Sequence, residues 1–102
     1  MATSSARHLL DPAEFERVAK ALADPRRFEI LEAIAGAGEL SCKALVDRFP
    51  IAQATVSHHL KELLVAGLVD VRQVGQCRYY RVRLGTLEQY LDEVRSRVAG
   101  NP

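Results

Sequence analysis

The chain has 102 residues, 48% of them hydrophobic, and a formal net charge of +1. That is one domain of ordinary globular composition, able to bury a core but too short to house a second module. The charge balance falls short of a strongly basic nucleic-acid domain, no apolar run approaches the ~20 residues of a membrane span, and MATSSARHLL lacks the apolar stretch of a secretory signal.

Residues 1–10 are small and polar until Leu9 and Leu10 and are expected to form a flexible tail, leaving residues 11–102 as a single domain. Asp11-Pro12-Ala13-Glu14 has the order of an N-cap, a proline at the first helical position and a reciprocal acidic residue at N3. The helix it opens carries Phe15, Val18, Ala19 and Leu22 on one face. Asp24-Pro25 repeats the device, and the following helix is expected to bury Phe28, Ile30, Leu31 and Ile34 before stopping at Gly36-Ala37-Gly38. Ser41 can cap a short helix through Leu45 and Val46 that breaks at Phe49-Pro50.

The next stretch, IAQATVSHHLKELLVAGLV at residues 51–69, reads as an amphipathic helix ended by Gly67. At ~100° per residue, Val56, Leu60, Leu63 and Leu64 fall within about 100° of one another, the width of a core-facing stripe. Ala54, Thr55, His58, Lys61 and Glu62 occupy the opposite arc, and Gln53 and Ser57 flank the stripe near the start. Gln, Ser, Thr, His and Lys hydrogen-bond base edges or phosphates, and a DNA-recognition helix reads with its N-terminal half. An ordinary solvated helix has the same composition, so this segment alone leaves both readings open.

The hairpin that follows adds weight to the first. Val69 and Val71 alternate with Asp70 and Arg72, Gly75 turns the chain, and Tyr80, Val82 and Leu84 alternate with Arg81 and Arg83. Arg72, Gln73, Gln76 and Arg78 gather near the tip, suited to a phosphate backbone or a minor groove. Residues 51–84 carry five Lys or Arg against two Asp or Glu, whereas the flanking segments are slightly acidic. The basic footprint is local, and His58 and His59 lie inside it. Thr86-Leu87-Glu88-Gln89 then resembles a capping box, opening a last helix with Leu87, Tyr90, Leu91, Val94 and Val98.

A short helix, a brief turn, a longer polar-faced helix and a hairpin make a winged helix-turn-helix, mainly α with a small β-hairpin. The chain resembles the ArsR/SmtB family of bacterial transcriptional regulators over roughly residues 13–95, most specifically in LADPRR, QATVSHHLKEL, AGLV and the Tyr79-Tyr80 pair. The resemblance implies a homodimeric repressor in which the first and last helices pair, with Phe15, Val18, Tyr90, Leu91 and Val94 as candidates for that surface. Two Cys, too few for a disulfide framework, make a reducing cytoplasm the expected location. Its partners would be a second copy and double-stranded DNA, with no membrane. Two-fold symmetry would select an inverted-repeat operator. The expected DNA-contacting set is Gln53, Thr55, Ser57, His58, His59, Lys61, Arg72, Gln73, Gln76, Arg78 and Tyr79.

The family senses metals, metalloids or redox species. Its arsenic-sensing members carry an E-L-C-V-C pattern, where this chain reads Glu39-Leu40-Ser41-Cys42-Lys43, with Cys42 between the two thiolate positions. No His stands on the last helix for a zinc site. No metal site or cofactor is therefore expected and the inducer is undefined, although Cys42 remains a candidate sensor thiol. The family's fold places the segment near Leu40 towards the inner end of the second hairpin strand, which sets Cys42 and Cys77 roughly 15 Å apart or more and beyond disulfide reach. Two alternatives stand beside a plain repressor: a thiol-, redox- or metal(loid)-responsive repressor using Cys42, and a winged-helix module that binds protein. No nucleophile, base and acid fall in a recognisable motif, so an enzyme is not expected.

Overall fold

The computed structural model describes residues 10–100. Its elements run α1 (Pro12–Ala23), α2 (Pro25–Ala37), β1 (Leu40–Ser41), α3 (Cys42–Arg48), α4 (Gln53–Val65), β2 (Val69–Val74), β3 (Cys77–Val82) and α5 (Leu84–Ala99). The tail expected at residues 1–10 lies outside the described residues except for Leu10, which packs half-buried against the core.

Local chemistry accounts for most of the helix ends. The Asp11 carboxylate accepts from the Glu14 N–H at 2.8 Å, and the Glu14 carboxylate accepts from the Asp11 N–H at 2.8 Å. Asp24 ends α1 and also begins α2, where its carboxylate accepts from the Arg27 N–H at 3.0 Å. The Ser41 hydroxyl accepts from the Ala44 N–H at 3.0 Å to start α3. At the end of α4, Leu68 N–H donates to the Leu63 carbonyl and Gly67 N–H to that of Leu64, the paired closure of a Schellman motif. It requires the left-handed backbone that Gly67 adopts at φ +77°.

Val18 of α1, Ile30 and Ile34 of α2, Leu45 of α3, and Val56, Leu60 and Leu63 of α4 are fully shielded from solvent. Leu68, Val69 and Tyr80 close this core from the sheet side. Two expectations fail here. Phe28 is 44% exposed, because it lies about 160° around the helix from Ile30 at ~100° per residue. Val18, expected on the dimer surface, is sealed inside the monomer.

The sheet is antiparallel in the order β1-β3-β2. β2 and β3 pair from Val69↔Val82 to Val74↔Cys77, leaving Gly75-Gln76 as a two-residue turn with Gly75 at φ +61°. β1 joins the middle of β3, as Leu40↔Tyr80 and Ser41↔Tyr79, rather than its inner end at Val82. The Arg83 N–H donates to the Leu68 carbonyl at 2.9 Å, closing the hairpin base, and α5 starts on the next residue. Thr86 consequently sits inside the first turn of α5 rather than capping it, and Arg83 at the N-cap makes no side-chain cap bond.

Leu63→Ala should lower stability by about 2–5 kcal/mol in urea unfolding, the range for emptying a closed core site. Phe28→Ala, on the exposed arc of α2, should cost less than about 1 kcal/mol. Equal losses at the two positions would contradict this division between core and surface.

Candidate nucleic-acid interface

The turn between α3 and α4 leaves the start of α4 bare. Ala52 is the N-cap and supplies no side-chain acceptor; its carbonyl accepts from the Thr55 N–H at 3.0 Å, and the Gln53 and Ala54 N–H groups are left to solvent or an anion. Gln53, Thr55, Ser57, His58 and Lys61 are all exposed. Val56, His59, Leu60 and Leu63 form the buried face, which anchors the helix while its first two turns stay accessible.

His59 does not join the outward set. It is only 7% exposed, and its Nδ1 accepts a hydrogen bond from Arg27 Nε at 3.3 Å. The helical wheel carries the reason: His59 lies about 40° from Leu63 at ~100° per residue, within the apolar stripe. Arg27 is also held beside the Asp24 carboxylate at 3.9 Å, so a polar chain of Asp24, Arg27 and His59 ties the start of α2 to the inner face of α4. Burial lowers the His59 pKa, and Arg27, His58 and Arg26 act in the same direction against the opposing pull of Asp24.

The wing divides differently from its sequence pattern. Gln76 and Arg78 are exposed near the tip, whereas the Gln73 amide folds back to donate to the Gly75 carbonyl at 3.2 Å. Arg72 binds Glu39 through two nitrogens, at 2.8 and 3.0 Å, and lies 4.9 Å over the ring of half-buried Tyr79. Arg83 meets Asp70 at 3.6 Å. Lys61 and Arg78 have no ion-pair partner among the described residues.

An open cleft of about 970 Å³ separates α4 from the wing. It brings together Gln53, Ser57 and Lys61 from the helix with Gln76, Arg78 and Tyr79 from the hairpin, and Lys43 of α3 joins them. Thr55, His58, Arg72 and Gln73 are not in its lining. Lys43 and the partners of the two tied side chains, Glu39 and Arg27, were absent from the candidate set. Lys43 had a visible signal in its place at the second position of the short helix before α4, while the two partners are distant in sequence and left none.

Cys42 and Cys77 line this same cleft. The expected separation of 15 Å or more loses its basis, because Ser41 pairs with Tyr79, two residues from Cys77, and the antiparallel register carries Cys42 towards it. Cys42 is half-buried with its sulfur 3.7 Å from the Ser57 hydroxyl, and Cys77 is exposed. Among the described residues, no three or more His, Cys, Asp or Glu gather as a metal-holding group. None of the described helices is long and apolar enough to cross a membrane.

Comparison with known proteins places this geometry in context. A family model described as a helix-turn-helix domain matches residues 22–72. The chain is 37% identical over 82 residues to an arsenical resistance operon repressor of Staphylococcus xylosus, covering 78% of each. It is 31% identical over 75 residues to the transcriptional repressor SdpR of Bacillus subtilis, covering 74% of this chain and 82% of that one. Among solved structures, an ArsR-like transcriptional regulator from Rhodococcus superposes with a TM-score of 0.75 at 30% identity, covering 85% of this chain and 80% of that one. The homodimeric winged helix-turn-helix DNA-binding domain of a Mycobacterium bovis protein superposes with a TM-score of 0.69 at 32% identity, covering 83% and 80%.

The unfolded chain protonates at the ordinary histidine value of 6.5, whereas folded His59 resists protonation. The stability supplied by neutral His59 is therefore complete above that value and is lost as pH falls below it towards the lowered folded value. Thermal melts at pH 7.5 and 5.5 should show a drop in Tm that shrinks in His59→Asn, whose amide oxygen can replace Nδ1 as acceptor without titrating. An undiminished drop in the variant would locate the titration elsewhere.

Proposed function

The chain belongs to the ArsR/SmtB family of transcriptional regulators, and we propose that it represses transcription as a homodimer that sets α4 of each subunit in the major groove of an inverted-repeat operator. It is a DNA-binding regulator rather than an enzyme. The observation that carries the proposal is the arrangement of α4: one face sunk in the core, an uncapped N-terminus, and Gln53, Thr55, Ser57 and His58 on its accessible first turns. These are the side chains suited to base edges, while Lys61 and Arg78 on either side of the cleft suit phosphates. Gln76, the second residue of the hairpin turn, is in a position to meet the adjacent minor groove.

The last helix supports the dimer. Leu84, Leu87, Leu91, Val94 and Val98 recur at the spacing of a two-helix seam. Leu84 is 60%, Leu91 49% and Val98 83% exposed. A single subunit leaves those three in water, where apolar side chains are costly, while Leu87 packs half-buried against the core and Val94 is half-buried. Phe15 stacks on Tyr90 at 5.0 Å, with Arg97 4.2 Å above Phe15, so α1 braces α5 from the side. Phe15, Tyr90, Leu91 and Val94 remain as the proposed surface after the loss of Val18 to the core.

Replacing Ser57 or His58 with Ala should cost ~1–3 kcal/mol in operator binding and relax preference at one position of each half-site. Lys61→Gln and Arg78→Gln should weaken binding to all sequences alike and flatten its salt dependence. Unchanged affinity and selectivity in both Ala variants would remove α4 from the reading role.

Leu91→Asp would bury an unpartnered charge at the seam and should give a folded monomer with weak DNA binding. Sedimentation together with circular dichroism checks this. A folded variant that stays dimeric would move the interface off this face of α5.

A further inference from the structure

Among the side chains that the DNA reading leaves unexplained, Arg72 stands out because it has the right charge and sits in the wing, yet is paired through two nitrogens with a carboxylate. Its guanidinium makes two parallel bonds to the Glu39 carboxylate, Nε to Oε2 at 2.8 Å and Nη2 to Oε1 at 3.0 Å. Such fork-to-carboxylate pairing is directional as well as strong. Arg72 belongs to β2, and Glu39 immediately precedes β1. β3 lies between them, and the Arg72 side chain crosses it over the ring of Tyr79, its own cross-strand partner. The pair therefore spans all three strands on the face of the sheet turned away from Tyr80 and the core.

Two consequences follow from that placement. The hairpin is tied to the segment that begins α3, so its inclination to α4 is set at one more point than the strand ladder alone provides. A cation is also withheld from the phosphate backbone, because a guanidinium held by a carboxylate contributes little further attraction to an anion. Glu39 is 24% exposed and Arg72 57%, so the pair is within reach of solvent and of DNA, with the charges already matched to each other.

We propose that Glu39 is a specificity-determining residue: by holding Arg72 across the sheet it restrains the wing and removes one cation per subunit from sequence-independent DNA binding. The proposal rests on the DNA-binding reading above. It predicts that freeing Arg72 strengthens binding to any duplex more than binding to the operator. It also predicts that deleting Arg72 together with Glu39 leaves nonspecific phosphate contacts unchanged.

The test uses the full chain with two probes: a duplex recovered by selection from a random library, and an unrelated duplex of equal length. Affinities are measured between 50 and 200 mM salt for the wild type, Glu39→Gln, Arg72→Gln, the double variant and Lys61→Gln. In Glu39→Gln the slope of log affinity against log salt on unrelated DNA should steepen by about 0.9 per bound subunit, and preference for the selected duplex should fall several-fold. The double variant, which removes both charges, should keep the wild-type slope, Arg72→Gln should not steepen it, and Lys61→Gln should flatten it.

A flattened slope in the double variant, which leaves no freed Glu39 carboxylate, would show that Arg72 already contacts phosphate and would overturn the proposal. So would an unchanged slope and preference in Glu39→Gln. Should Glu39→Gln fail to fold, Glu39→Ala takes its place and is held to the same slope and preference. If neither the wild type nor Lys61→Gln shows any salt dependence, the DNA reading itself has failed and the Glu39 assignment falls with it.

Discussion

Everything the molecule presents to a partner depends on how α4 is seated. A helix of 13 residues is only marginally stable alone in water, so its persistence here comes from burying Val56, Leu60 and Leu63 against α1, α2 and α3. That burial fixes rotation about the helix axis. Once Val56 and Leu63 point inward, Thr55, His58 and Lys61 must point outward, since side chains on a helix cannot be repositioned singly. His59 sharpens the seating, because its Nδ1 has a directional partner in Arg27 that an aliphatic side chain would lack. A small rotation of α4 would break that bond and expose part of the stripe together.

The wing shows a second constraint, set by charge rather than by packing. Residues 51–84 hold five Lys or Arg, but Arg72 is bound to Glu39 and Arg83 to Asp70. Lys61 and Arg78 are the members of that set facing the cleft between α4 and the hairpin. The basic surface is therefore smaller than composition suggests, and it is concentrated where the helix and wing converge. Arg81, the fifth, lies by a separate recess with Ala35 and Gly38. On the proposed reading, few phosphate contacts would leave a larger share of affinity to base-edge contacts, favouring selectivity over bulk attraction.

Elements whose causes are local were legible in the chain. The caps at Asp11, Asp24 and Ser41 and the turn at Gly67 depend on residues three or four apart, and they occur where the spacing indicated. The winged helix-turn-helix order was legible for the same reason, since each element announces itself by period and by its breaker. What sequence spacing could not carry were pairings across the fold. Arg72 was read as a free cation because Glu39 lies 33 residues away. The meeting point of β1 and β3 was misplaced because two residues at a strand edge carry no register signal of their own. Thr86 has the chemistry of a cap, yet the bond from Arg83 to Leu68 starts α5 earlier. His59 and Val18 were a different kind of error: both lay on inward arcs, but one is polar and the other was needed elsewhere by the proposed dimer. The wheel held the right answer for both.

The central claim is that the seated α4 turns its N-terminal half into the major groove, with the wing beside it over the minor groove. Methylation interference tests this most directly, because one reagent marks guanine N7 in the major groove and adenine N3 in the minor groove. On a bound duplex, methylated guanines should block binding in two patches related by a dyad and separated by about one helical turn or a multiple of it, with adenine N3 interference flanking each patch. Interference confined to the minor groove, or methylation without effect on binding, would contradict the account.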